Sequence, residues 1–383
     1  MSKSPRLGAL VLVVLSVALL APAVASAQAV IKVNDNVKFQ FGMQIQAWAD
    51  WLQDQGSGSA AKPFDGGGFA QNLFIRRARF LVSGQMAPNL TFFFQTDAPN
   101  LGKTPKALTS GFVVQDAYFE WKLANEFMID GGLFLTAFTR NELTSTTKFI
   151  SIDVAATGAV FSGPTASSAT RDTGFGFKGY LIDGGRLEYR ANIFQGVRAA
   201  ATSTTPASHN SFRTNLYMQY NFLEKETGYV YAGTYLGTKK VAGVSAAYDG
   251  QSEYNAYAAS AYCALPLAGG DEFALQSHWA HYNGQKFIVL PQQNDYFIEA
   301  GYYMKSAKVQ PYGKFESQHF TYAAGDQTRY SLGMNYYVSG YNLKITGQFT
   351  RVETGTKSTS PTATTQGGHP TSEFTVQLQA FYF

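Results

Sequence analysis

The sequence predicts an all-β fold, a transmembrane antiparallel β-barrel of sixteen strands. Three observations predict it: long runs of alternating apolar and polar residues, connections that switch between short and long, and a composition poor in charge and rich in aromatics. Charged residues make up 15% of the 383 and aromatics another 15%, with 23 Tyr and 30 Phe. An ordinary soluble domain carries roughly 25% charge. A net charge of +4 is too slight for a nucleic-acid binder, whose contact face is strongly basic. The single cysteine, Cys263, excludes an internal disulfide framework and a multi-cysteine metal site.

Residues 1–27 read as a secretory signal peptide. Lys3 and Arg6 form the positive start, Leu7 to Leu20 is the apolar run, and Ala25-Ser26-Ala27 is the cleavage signal, with Ala27-Gln28-Ala29 nearly its equal. The apolar run is shorter than the roughly 20 residues that a spanning helix takes. Cys263 lies far from the cleavage site, so no lipid-modified leading cysteine is expected. The domain that follows, 28–383, contains no apolar run of helical-span length, and its residue order carries the rest of the prediction.

From Val37 to Trp51 the odd positions are Val, Phe, Phe, Met, Ile, Ala, Ala and Trp, while the even ones are mostly Lys, Gln and Asp. Strand side chains alternate faces, so this segment has one apolar and one polar side. Its length suits a tilted membrane strand, which needs about 9–11 residues in the bilayer, better than a strand of a soluble sandwich. The pattern recurs at Phe212–Phe222, Arg329–Tyr336 and Asn342–Phe349. The polar face carries Gln, Asn, Tyr, Arg and Asp rather than dense Lys and Glu, and the other face is rich in Tyr, Phe and Trp, so the apolar side is expected to meet lipid.

Strands are expected near 37–51, 72–86, 90–97, 112–123, 127–135, 173–181, 186–194, 212–222, 241–249, 252–265, 272–283, 295–304, 308–320, 328–338, 341–352 and 373–383. Short turns such as Ala87-Pro88-Asn89, Ala124-Asn125-Glu126, Ile182–Gly185, Lys305-Ser306-Ala307 and Ser339-Gly340 alternate with the long stretches Leu52–Gln71, Thr136–Asp172, Gly196–Ser211 and Glu353–Ser372. Short turns on one rim and long loops on the other are the asymmetry of outer-membrane barrels. A seventeenth run, 228–236, breaks this rhythm and would give an odd count; it is assigned to a periplasmic excursion or a continuation of its neighbour. Sixteen strands enclose a water-filled channel.

Several segments resemble the phosphate-selective porin O/P family of bacterial outer membranes. They are Phe74-Ile75-Arg76-Arg77-Ala78-Arg79-Phe80 with Gly84, Pro88-Asn89 and Phe92-Phe93-Phe94-Gln95, then Gln115-Asp116-Ala117-Tyr118, Leu187–Arg190, Gly233–Gly237 and Arg329–Tyr337. The resemblance runs from about residue 37 to the end. It implies a homotrimer of barrels in outer-membrane lipid, a third loop folded into each pore (here 136–172), and arginines and lysines along the lumen. At Gly132–Phe138 the chain lacks the lysine and proline of the family's G-x-F-K-T-P-F pattern. The chain ends in Phe383, one residue out of phase with the apolar series Phe374, Val376, Leu378, Ala380 and Tyr382; a bulge near Ala380-Phe381 would restore the register.

The function expected is passive diffusion of small hydrophilic solutes, with a preference for anions and phosphate or polyphosphate among the solutes admitted. Arg77 and Arg79 share a face and are the leading candidates for anion contact, since a guanidinium keeps its charge and offers planar donors to phosphate or carboxylate. Arg76 points the other way if the strand is regular. Lys38, Lys122, Lys314 and Lys344 face inward by parity, as do Asp50, Asp130 and Glu316. In the third loop Arg140 and Lys148 join Glu142, Asp153, Arg171 and Asp172, and opposed charges there would set up a transverse field. The bland alternative pairs the arginines with carboxylates on adjacent strands, Asp97 and Asp116. Gly174–Gly179 matches G-x-G-x-x-G but alternates as a strand, so no dinucleotide site is read from it, and no cofactor is implied. His278 and His281 fall on opposite faces of one strand, poor geometry for a shared metal. Two other classes compete: a barrel-embedded hydrolase, hinted at only by Ser277 beside His278, and a plugged structural barrel.

Overall fold

The computed structural model describes residues 29–53, 69–103, 111–158, 170–198, 211–284, 287, 290–321, 326–355 and 370–383. Residues 1–27, expected to be a signal peptide, and parts of the four stretches expected as long connections lie outside these residues. A short strand, β1 (Ala29–Lys32), precedes the long ones. The first half of the barrel is β2 (Lys38–Gln53), β3 (Phe69–Ala87), β4 (Leu90–Asp97), β5 (Val113–Lys122), β6 (Met128–Leu135), β7 (Arg171–Leu181), β8 (Leu187–Phe194) and β9 (Arg213–Asn221). The second half is β10 (Val241–Gln251), β11 (Tyr254–Pro266), β12 (Glu272–Asn283), β13 (Gln293–Tyr303), β14 (Val309–Phe320), β15 (Gln327–Tyr341), β16 (Leu343–Thr354) and β17 (Thr371–Tyr382).

Each of β2–β17 pairs antiparallel with its chain neighbours, and β17 returns to pair with β2, from Glu373↔Leu52 to Tyr382↔Met43. The sixteen expected strands are therefore all present, and closure leaves no free sheet edge. β1 takes the same edge of β2 beyond the point where β17 stops, from Ala29↔Phe41 to Lys32↔Lys38. Closure also settles which side is which. Leu73 and Leu332 on the outside are 80% and 70% exposed, whereas Gln46, Asp116, Glu188, Asn215, Asn335 and Gln377 on the inside are fully buried. A barrel dissolved in water would reverse that arrangement; this one presents its apolar face to hydrocarbon.

Register shifts interrupt four pairings, β2–β3, β3–β4, β4–β5 and β15–β16, and two departures from the pattern expected of the sequence shape the lumen. Gln46 pairs with Arg77 but Ala47 pairs with Ile75, so β3 bulges at Arg76. The bulge lets Phe74 on one side and Arg77 and Arg79 on the other all face inward. At the other end of the chain β17 runs in register with both neighbours to Ala380 and Tyr382, with no bulge at Ala380-Phe381. Phe383 accordingly turns inward. Its ring lies against Gly42, where a Cβ would sit 2.3 Å from it, and 6.1 Å from the ring of Phe93.

The segment 228–236 forms no strand. It belongs to the connection between β9 and β10, on the short-turn rim, and this connection folds back inside the barrel. Tyr231 bridges in parallel to Thr144, Arg190 Nη2 and Nη1 donate to the carbonyls of Gly228 and Tyr229 at 2.9 and 3.1 Å, and Thr234 donates to Glu272 at 2.6 Å. From the opposite rim residues 136–158 also pack against inward-facing side chains. Asn335 donates to the Ile150 carbonyl at 2.7 Å, Gln379 to that of Thr147 at 3.1 Å, and the Ala156 amide to Glu316 at 2.5 Å. Room for this comes from small inward residues: Phe138 fits among Ala256, Ala258 and Ala280, and Ile150 beside Ala264 and Ala274. The two segments meet around Leu143 and Tyr231.

Candidate functional site

The in-folded segments pack chiefly against the later strands and leave open space along β2–β7. Bulge and parity together bring Gln44, Arg77, Arg79 and Gln95 to this wall of a cavity of about 340 Å³; Arg171, the first residue of β7, joins them, and Glu142 and Thr144–Thr147 of the loop complete the lining. A second space, of about 560 Å³, lies toward the short-turn rim beside Lys38, Gln40, Ser83 and Thr91. Phe93 and Tyr118 border both.

The arginines do not stand bare. Arg77 Nη2 reaches Asp153 Oδ1 at 2.5 Å, while Arg76 Nε reaches Oδ2 of the same carboxylate at 2.9 Å. The expectation that Arg76 points away therefore fails, because the extra residue of a bulge breaks the two-residue alternation on which it rested. Arg79 Nε donates to Asp97 at 3.0 Å and its Nη1 to the Thr146 hydroxyl at 3.0 Å. Arg171 meets Asp116 through Nε and Nη2, both at 3.2 Å, and the Tyr229 hydroxyl donates to that same aspartate. The bland reading is met only at Asp97, on the strand next to Arg79; Asp116 pairs with Arg171 instead, and Arg77 takes its carboxylate from the loop, at Asp153.

Loop electrostatics follow from these contacts. Burial pushes the Asp153 carboxyl up, but Arg76 and Arg77 outweigh it and hold the group below the ordinary carboxylate range. Glu142 has no such partner. It accepts a bond from the Thr136 hydroxyl at 3.2 Å, and burial pushes its pKa up to about 8, so near neutral pH it is mostly uncharged.

The other predicted cations are scattered. Arg140 is buried between the two in-folded segments, its Nη2 on Glu226 at 2.5 Å and on the Ala232 carbonyl at 3.0 Å, with the Tyr262 ring centre 4.0 Å away. Burial lowers its pKa, and Glu226 with the nearby tyrosines more than reverses this. Lys148 lies 5.3 Å from the Tyr341 ring, and burial pushes its pKa down. Lys314 pairs with Glu316 at 3.0 Å and Lys344 donates to the Phe149 carbonyl at 3.3 Å, both on the wall covered by the loop. Lys38 borders the second cavity, and Lys122 is exposed at the short-turn end of β5. Asp172 joins Arg213 and Asp249 in a separate cluster. Of the six loop charges, only Glu142 and Lys148 stand outside ion pairs among the described residues.

Sequence reasoning placed Arg77 and Arg79 at the lumen but did not join them to Tyr118, Phe93 or Tyr229. Parity alone puts Phe93 on the inward face with Gln95 and Asp97; Tyr229 arrives from a non-strand segment and carries no periodic signal. Ser277 and His278 fall on opposite faces of β12, His278 inside and stacked on Phe297, so the one hint of a hydrolytic set does not assemble. The G-x-G-x-x-G stretch is part of β7, paired on both sides.

Comparison with known structures returns the same architecture. The anion-selective porin of Comamonas acidovorans superposes with a TM-score of 0.61 at 10% identity, over 90% of this chain and 100% of that one. The outer membrane channel DcaP of Acinetobacter baumannii gives 0.56 at 10% identity, over 92% and 99%. OmpT of Vibrio cholerae, an outer membrane protein, gives 0.53 at 12% identity, over 92% and 100%. At such identities these likenesses establish the fold. Among curated proteins the comparison gave no match. The family profile described as phosphate-selective porin O and P matches residues 61–311, and with the closed, lipid-facing barrel this match makes the chain a member of that family of bacterial outer-membrane porins.

Proposed function

We propose that small hydrophilic solutes diffuse passively along the column between the β2–β7 wall and loop 136–158, with anions preferred, and that this loop sets the width of the path. The observation that carries the reading is the ladder of Arg77, Arg79 and Arg171 lining the cavity, whose loop side offers the hydroxyls of Thr144–Thr147 and a Glu142 largely protonated at neutral pH. Guanidiniums along a pore are an established route to anion preference. The solved anion-selective porin with the same fold supports this reading, and a trimeric OmpT of Vibrio cholerae, TM-score 0.50, supports assembly of three barrels side by side through their apolar exteriors.

The test is single-channel recording in planar bilayers. Steady conductance steps are expected, with a reversal potential in asymmetric KCl that reports chloride as the more permeant ion. A cation-selective reversal potential would overturn the anion preference, and absence of conductance would return the plugged barrel.

A further inference from the structure

We infer that the 340 Å³ cavity is a binding site for aromatic monocarboxylates, a ligand class that the arginine ladder alone does not specify. This inference rests on the anion-preferring channel proposed above and narrows its solute.

Charge is the first consideration. Asp153 stands against Arg76 and Arg77, Asp97 against Arg79, and Asp116 against Arg171. Four guanidiniums against three carboxylates leave one net positive charge in this set, enough to favour a singly charged anion, whereas a multivalent ion such as phosphate would have to outcompete three carboxylates held in place. What the pairs leave over is hydrogen-bonding capacity: with Nε on Asp97 and Nη1 on Thr146, Arg79 keeps its Nη2 free of a protein partner among the described residues. The open edge of the guanidinium is thus the single Nη2 amino group, near the Gln44 amide and the Thr146 hydroxyl, and it can donate to one carboxylate.

The second consideration is what lies next to that edge. The inward tier below Arg79 on β3 is Leu81, about 7 Å along the strand. The next tier holds Phe93 and Tyr118, direct cross-strand partners on β4 and β5. Their rings are 6.1 Å apart, Tyr229 packs 4.7 Å from Tyr118 and 5.9 Å from Phe93, and Phe383 closes the set at 6.1 Å from Phe93. Four rings from four separate places in the chain line a passage that water-loving solutes would cross more easily without them. Apolar surface beside a single anion-binding edge matches a solute with a carboxylate at one end and a flat ring at the other. Ring burial and edge-to-face contact with the four rings would then add to the charge-assisted bond.

The experiment uses the full-length channel in planar bilayers in neutral KCl and compares interruption of the current by added sodium benzoate, sodium acetate, sodium phosphate and benzyl alcohol. Benzoate is expected to block half the current at a concentration about tenfold below acetate, the difference a buried ring supplies. It should also act below phosphate and below benzyl alcohol. Phe93→Ala should raise the benzoate concentration needed and leave that for acetate unchanged. Equal block by benzoate and acetate, stronger block by phosphate, or equal block by benzyl alcohol would each overturn the inference while conductance and chloride preference remain. A channel that fails to conduct would overturn both readings. The four-solute comparison on the unaltered protein decides the matter even if Phe93→Ala does not fold.

Discussion

Arg76 and Arg77 share one aspartate because of a single inserted residue, and that pairing controls how much positive charge the lumen presents. Among the described residues Asp153 is the only loop carboxylate holding these arginines. Asp153→Asn should therefore release two guanidiniums to the passage, and the chloride-to-potassium permeability ratio is expected to rise about two- to threefold at low salt, where lumen charges are least screened. Replacing Arg79 by Ala should move the ratio the other way by a similar factor, since Asp97 is left uncompensated; an unchanged reversal potential would mean that Arg79 is structural. Glu142 adds a dependence on pH. Its pKa, raised by burial to about 8, keeps it mostly neutral at pH 7 and ionises it as pH rises past 8, adding a negative charge to the wall opposite the arginines. Anion preference is thus expected to fall between pH 7 and pH 9, and Glu142→Gln should flatten that dependence. A decline that persists in Glu142→Gln would assign it to another group.

At the scale of the element, the two in-folded segments hold each other. Loop 136–158 comes from the long-loop rim and residues 222–240 from the opposite one, and the buried pair Arg140–Glu226 joins them, with the Tyr235 hydroxyl also donating to Glu226. Removing one member of a buried pair costs about 3–5 kcal/mol because the other charge is left without compensation. Glu226→Gln should therefore loosen the contact between the segments, seen as larger and noisier conductance steps and faster proteolysis of the loop, while the barrel itself stays folded. If conductance noise and proteolysis are unchanged, the segments are held by their apolar contacts instead. This layer is also where the sequence was hardest to read. Strands were legible because alternation is local: a lipid face and a water face force a period of two, clearest in runs such as β9, β11 and β12. The break in rhythm at 228–236 was legible for the same reason. Its destination was not, because Thr144, Arg190 and Glu272 lie 35 or more positions away in the chain and no local pattern connects them. The bulge at Arg76 escaped for a related cause, since parity counting presumes a regular strand. One signal was available and unused: Ala256, Ala258, Ala264, Ala274 and Ala280 on inward positions of neighbouring strands leave space that only another part of the chain can fill.

For the whole molecule, the decisive property is that the outer surface is the apolar one, and a substitution can test this without reference to conduction. Leu332 sits midway along β15 with its side chain on the outside, and the neighbouring Ser331 points inward beside Thr350. In water Leu332→Arg would be harmless or mildly helpful, since an exposed leucine gains nothing from its surroundings. In a bilayer it places a guanidinium on the lipid-facing side, where the cost rises to about 2–4 kcal/mol toward the hydrocarbon midplane. Equilibrium unfolding of the barrel from lipid vesicles should therefore show Leu332→Arg destabilised by that amount. A second variant, Lys122→Arg, stays at the short-turn rim and keeps its charge, so it should change stability by a few tenths of a kcal/mol at most. Equal stability of the two would place Leu332 in water rather than lipid, and with it the whole belt that includes Leu73, Phe175 and Phe212. The cost should also fall in bilayers of shorter acyl chains, because a thinner hydrocarbon slab brings the arginine within reach of the interface by snorkelling. A destabilisation that does not vary with chain length would instead indicate a packing defect within the sheet.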